Sequence, residues 1–352
     1  MRLASFTGGR NNNFNLIRFV AAFLVLITHS YALTTGNVMT EPLRAYLDMT
    51  WGMIAVDVFF IISGFLVTAS LLTRKNLQAF VVARFLRIYP ALWVMIAFTV
   101  VALGLWVTSL SAHDFFIRRE TLVFILKNMT MVRDVAYILP GVFETVPFKG
   151  TVNGSLWTLP LEIRMYVTLA VVWATMTVFG ARREKVTAQA IVLMAISALL
   201  LNILFHFFDF ARLLHLHLGY MFFVGSAFYV FRERIILSRG IFLAAAIALL
   251  LSAFNKDVFY VTYMAVLAYL VFWLAYVPTG IVRQFNRLGD YSYGIYIYAF
   301  PVQQSIVMLV PGISSGALMG TAFGITLFFA FLSWHLIESK ALSLKSRWTE
   351  RI

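Results

Sequence analysis

His29 lies within a long apolar run from Phe14 to Leu33, and Arg18 stands eleven positions earlier in the same run. In an α-helix eleven residues make about three turns and roughly 16 Å of rise, so both ionisable groups fall on one stripe. Neither is tolerated in hydrocarbon without a partner or a water-filled cavity, so the pair implies a protein-lined polar pocket. Asp57, in the second apolar run, lies at comparable depth if that run returns across the membrane. A carboxylate beside an imidazole fixes its tautomer and raises its basicity, which is what a general base requires. The alternative is an Asp–His pair that only tightens a helix hairpin.

A second carboxylate comes from the segment 153–166, Asn-Gly-Ser-Leu-Trp-Thr-Leu-Pro-Leu-Glu-Ile-Arg-Met-Tyr. Ser155 and Glu162 are seven residues apart and share a helix face, with Thr158 and Tyr166 close to it. Two readings stay open for Ser155, a helix N-cap or a substrate contact. Arg164 falls on a different face from Glu162. Earlier in the chain, Arg84 and Arg87 are three apart at the start of the third apolar run, where two guanidiniums can jointly hold a phosphate. Ordinary positive-inside anchoring is the competing explanation. Cations at one end with a histidine and two carboxylates at the other describe a channel for a long, phosphorylated donor with a reactive distal end.

These residues must be positioned by membrane helices. The chain of 352 residues is 61% hydrophobic and 12% charged, with a mean hydropathy of +0.86, outside the range of soluble domains. It has no cysteine, which excludes disulfides, thiolate metal ligands and a cysteine nucleophile. The net charge of +13 is spread over short loops between apolar runs, so it points to anionic lipid and cytoplasmic-loop charge and not to nucleic acid. Ten runs are long enough to cross the bilayer, at about 14–34, 51–73, 87–110, 156–179, 187–206, 212–231, 238–254, 257–277, 290–310 and 316–337. The first is a retained helix and not a cleaved signal, since it carries Arg18 and His29 and lacks a small-residue cleavage site. The larger share of Lys and Arg falls on one side when both termini are cytoplasmic. The predicted fold is therefore a single all-α membrane domain over 1–352, a bundle of about ten transmembrane helices, with an extracytoplasmic segment at about 111–150 that is expected to cap the pocket.

Taken in order, the motifs resemble the acyltransferase-3 family of polytopic membrane acyltransferases that modify cell-surface glycans. The resemblance rests on Arg18 and His29 with ten residues between them, Asp-Val-Phe-Phe-Ile-Ile-Ser-Gly-Phe (57–65), Arg-x-x-Arg-Ile-Tyr-Pro (84–90) and Gly-Ser-Leu-Trp-x-Leu-x-x-Glu (154–162). Leu-Gly-Asp-Tyr-Ser-Tyr-Gly-Ile-Tyr (288–296) and His-Leu-Ile-Glu (335–338) also look like it. It implies a bacterial cytoplasmic-membrane enzyme that moves an acyl group, acetyl foremost, from cytosolic acyl-CoA to a hydroxyl of an extracytoplasmic glycan or glycolipid. The site residues expected on this reading are His29, Asp57 and Glu162 for catalysis, Arg18, Arg84 and Arg87 for the donor, and Ser155, Trp157 and Tyr166 for substrate. Two positions depart from the family pattern, Ala299 where a histidine is common and Ser339 where a proline commonly follows the terminal glutamate. No metal is expected: His206, His215 and His217 near Asp209 and Arg212 read as a solvated interfacial cluster, with no cysteine or carboxylate set to complete a site. The competing class is a proton- or anion-coupled transporter, which also uses intramembrane His, Asp, Glu and Arg.

Overall fold

The computed structural model describes residues 1–9, 11–208 and 213–349, with side chains to residue 344. The protein is all-helical, without strands among the described residues. Its main helices are α1 (Phe14–Thr35), α2 (Trp51–Arg74), α3 (Leu77–Phe98), α4 (Arg119–Thr130), α5 (Leu159–Thr175), α6 (Arg183–Phe207), α7 (Leu214–Val230), α8 (Arg239–Ser252), α9 (Lys256–Tyr276), α10 (Ser292–Leu309), α11 (Ser315–Ser333) and α12 (Ser339–Thr349). Among the described residues each of the ten apolar runs holds a helix over most of its length. Among the described residues six stretches are long and apolar enough to cross a membrane: 14–35, 51–74, 77–107, 154–207, 256–276 and 315–344. The stretch 154–207 holds two predicted runs, divided at Gly180, whose φ of 51° and ψ of −123° break the helix between α5 and α6. The apolar helices α7 and α8 are shorter, while α10 is buried almost all round.

The third run begins ten residues earlier than predicted. The Asn76 side chain caps Ala79 N, so Arg84 and Arg87 sit two turns or more inside α3 and not at its mouth. Hydropathy alone reads these arginines as the end of a span, but inside a protein-lined cavity they do not meet lipid. Beyond Phe98 the helix widens into a π-helical turn, Thr99–Gly104.

The bundle is held at its centre by α2 against α7. A Cβ on Gly64 would lie 1.9 Å from Phe222 O, and one on Gly225 would lie 2.0 Å from Ile61 O. The two backbones touch there, and only glycine permits it. The Ser226 hydroxyl reinforces the crossing by donating to Gly64 O at 3.2 Å.

The segment between α3 and α5 runs along α3 and closes with a loop against the His29 end of the bundle. Its helix α4 packs along α3, where Tyr89 OH donates to Thr130 O at 2.9 Å and Trp93 Nε1 to Met129 O at 3.0 Å. The following loop buries Val142, Phe143 and Val146. Gly36, which ends α1 in the left-handed region at φ 72°, is close-packed on Pro147 O. Gln304 of α10 donates to both Phe148 O and Thr151 O at 2.8 Å. The loop thus rests on the ends of α1 and α10.

Candidate active site

A cavity of about 350 Å³ opens among α1, α2, α3, α5 and α10. Arg18, Arg84 and Arg87 converge on it with Glu162, Asp290 and Tyr166. Asp290 Oδ2 is shared by two cations, Arg18 Nη1 at 2.5 Å and Arg87 Nη2 at 2.6 Å. Arg87 Nη1 also reaches Glu338 Oε2 at 3.3 Å. Asp290 Oδ1 accepts from the Ser292 hydroxyl and backbone N–H. Arg84, one turn from Arg87, has no such tether: its Nε is buried without a hydrogen-bond partner among the described residues, and its guanidinium lies 5.8 Å from the Tyr166 ring centre.

Glu162 belongs to this cavity. Its Oε1 accepts from Ser63 Oγ at 3.0 Å and from Tyr166 OH. The shared face of α5 therefore delivers Glu162 and Tyr166 to the arginines, whereas the expectation set Glu162 beside His29. Arg164 turns away, as its spacing implied, and donates to Arg133 O.

Asp57 is not paired with His29. Both its oxygens lie 2.9 Å from His217 Nε2, and Oδ2 accepts from Tyr263 OH at 2.7 Å. It ties α2 to α7 and α9. The reason is angular: matching depth along two helices fixes height but not direction, and six residues from Asp57 to Ser63 make about 240° of net rotation, so only one of them can face the cavity.

His29 Nδ1 is buried without a partner among the described residues. The imidazole stands edge-on to Phe300 at 5.0 Å between ring centres, and Phe300 is packed in turn on Phe148 of the covering loop and on Gly154. Ser155 follows directly. It is not the N-cap, since the Asn153 side chain accepts from Ser155 N at 3.1 Å and donates to Ile297 O at 2.8 Å. Ser155 Oγ is buried and unpartnered among the described residues. Trp157 is half-buried against the apolar core. Tyr296 and Thr158 line the arginine cavity and hydrogen-bond each other, and Tyr296 OH also donates to Ser155 O. These two residues connect the arginine cavity to the turn beside His29.

The histidines near α6 and α7 do not form one solvated cluster. His206 is 2.8 Å from Asp257 Oδ1 and stacks on Tyr260 at 4.2 Å, while His217 serves Asp57. Asp209 and Arg212 lie outside the described residues. No group of three metal-ligating side chains occurs among the described residues. Sequence reasoning assigned no role to Asp290, Glu338, Ser63 and Tyr296, although the blocks 57–65, 288–296 and 335–338 that contain them were recognisable.

Comparison with known proteins identifies the family. A family model described as an acyltransferase domain, of the acyltransferase-3 type, matches residues 11–336. A protein of Shigella phage Sf6 named O-acetyl transferase is 30% identical over 353 residues, 96% of this chain and 98% of its own. Nodulation protein 10 of Rhizobium leguminosarum bv. viciae is 34% identical over 172 residues, 46% of this chain and 44% of its own. No solved structure matches. With a family match spanning nearly the whole chain and a relative similar end to end, the chain belongs to the acyltransferase-3 family.

Proposed function

We propose that this protein is a membrane O-acyltransferase that takes an acyl group, acetyl foremost, from acyl-CoA and transfers it to a hydroxyl of a glycan or glycolipid on the far side of a bacterial cytoplasmic membrane. The observation that carries this reading is the convergence of Arg18, Arg84 and Arg87 on one cavity, with His29 three turns further along the helix that bears Arg18. Three guanidiniums suit the phosphates of CoA. The roughly 16 Å of α1 between Arg18 and His29 matches the span of an extended pantetheine arm. In this reading both termini are cytoplasmic, ten helices cross the membrane, and Arg18 marks the donor side. The relative named O-acetyl transferase supports the acetyl group. Family membership favours group transfer over the transport reading.

The chemistry follows from one base. The His29 imidazole takes the proton of the acceptor hydroxyl as its oxygen attacks the thioester carbonyl carbon; the C–S bond then breaks, and the thiolate recovers the proton from the imidazolium. Ser155 and Trp157, beside Phe300 and the covering loop, border the acceptor. Glu162 and Tyr166 shape the donor cavity, and Asp57 contributes by fixing α2 against α7 and α9. The test is radiolabelled acetyl-CoA with purified protein in nanodiscs. Label transfer or time-dependent CoA release that vanishes in His29→Ala supports the enzyme, whereas counterflow of intact solute without CoA release overturns it.

A further inference from the structure

Arg87 is held from two sides by unequal partners. Asp290 meets it at 2.6 Å, also binds Arg18, and is itself fixed by Ser292. Glu338 meets it at 3.3 Å through one oxygen, while its other oxygen accepts from Ser333 Oγ at 2.9 Å. Glu338 ends a π-helical turn, Trp334–Glu338, between α11 and α12. The same turn is pinned to the Asp290 loop, because Trp334 packs on Gly289 so closely that no side chain fits there, at φ 109°. Trp334 faces the cavity, as do Arg84, Arg87 and Asp290, but Glu338 is not among the residues lining it. At 2% exposure Glu338 is a buried carboxylate kept by one cation and one hydroxyl.

We infer that Glu338 is an exchangeable counter-ion: an incoming polyanion, engaging first the untethered Arg84 and then Arg87, draws Arg87 out of its contact with Glu338, while Asp290 stays in place. The inference rests on the reading of this cavity as the phosphate end of the donor site. Several features support it. The Glu338 contact is the longer one, and it is a single bond where Asp290 makes a bridge. Ser333 leaves Glu338 a partner once Arg87 turns away, and a widened helical turn has slack that a regular α-turn lacks. The consequence is selectivity. A neutral or singly charged ligand cannot offset the loss of a buried ion pair, whereas two phosphate charges close together can. Glu338 is thus a positioning residue that sets the charge threshold for entry.

The test compares inorganic pyrophosphate, CoA and the uncharged pantetheine as probes, bound to full-length wild type, Glu338→Gln and Ser333→Ala in detergent. Glu338→Gln removes the competitor, so pyrophosphate and CoA should bind about tenfold tighter or more, as expected for release of one charge-assisted bond, with pantetheine unchanged. Ser333→Ala removes the refuge and should weaken pyrophosphate binding. A folded Glu338→Gln that binds pyrophosphate equally or more weakly overturns the exchange; if that variant does not fold, unchanged or tighter binding by Ser333→Ala overturns it. Absence of pyrophosphate binding in every form also overturns it. Tightened pyrophosphate binding with no affinity for CoA keeps the exchange and removes the donor reading, while normal CoA binding with unshifted pyrophosphate does the reverse.

Discussion

At the residue scale the proposed mechanism divides the site into a base, His29, and a set of cations, and substitutions should separate them. His29→Ala removes the proposed proton acceptor but none of the groups around Asp290, so turnover should fall by about 10²-fold or more with donor affinity nearly unchanged; calorimetry and label transfer on one preparation check both. The two arginines of α3 should behave differently although they are one turn apart. Arg84→Gln removes an untethered cation and should weaken CoA binding and its salt dependence while the fold stays intact. Arg87→Gln strands Glu338 and half of the Asp290 bridge, so it should also lower stability, on the order of 3 kcal/mol, seen as an earlier thermal transition. Equal melting of the two variants would contradict this division. Arg18, which lines the cavity, and His29 stood out in the sequence because an ionisable group in an apolar run is conspicuous and helical spacing gives its face. Asp57 was misplaced because its partners, His217 and Tyr263, lie far away in sequence on α7 and α9, and no local spacing reports an angle between helices.

At the element scale, the proposed mechanism makes α1 a ruler whose phase matters. One alanine inserted after Phe23 rotates His29 by about 100° relative to Arg18 and lengthens the helix by only about 1.5 Å. The expected product is membrane-inserted but inactive, whereas apolar replacements at Leu24 should retain activity; an active insertion variant with unchanged topology would sink the shared-stripe arrangement. The crossing of α2 and α7 has no such tolerance. Gly64→Ala puts a methyl against a backbone carbonyl that cannot swing aside, at the upper end of overpacking costs, about 3 kcal/mol. Because α2 carries Asp57, tied to His217 and Tyr263, and Ser63, bonded to Glu162 in the cavity, the shift would disturb both the helix tether and the cavity, and the thermal transition and activity of Gly64→Ala should fall together. Gly64 lay inside a recognised block, yet nothing in its sequence context names Phe222 as its contact.

For the whole molecule, hydropathy located the long apolar helices among the described residues, because about twenty apolar residues are needed to cross a bilayer and few other demands produce them. It misjudged where a helix starts if the polar residues face protein, as at Leu77, and it could not see that the covering loop would meet His29 through Phe148 and Phe300. The orientation of the bundle is the assumption on which the two ends acquire meaning as donor and acceptor sides. The absence of cysteine from the sequence gives a direct test, since a single introduced thiol has no background. His113→Cys stands in the segment assigned outside, where the native side chain is 80% exposed, and Glu233→Cys stands in the exposed turn between α7 and α8, flanked by Arg232 and Arg234. A membrane-impermeant maleimide applied to intact cells should label the first at once and the second only after permeabilisation. The reverse pattern would place Arg18, Arg84 and Arg87 on the side without acyl-CoA and His29 on the side that has it, and a cytosolic donor could then no longer enter at the arginine cavity.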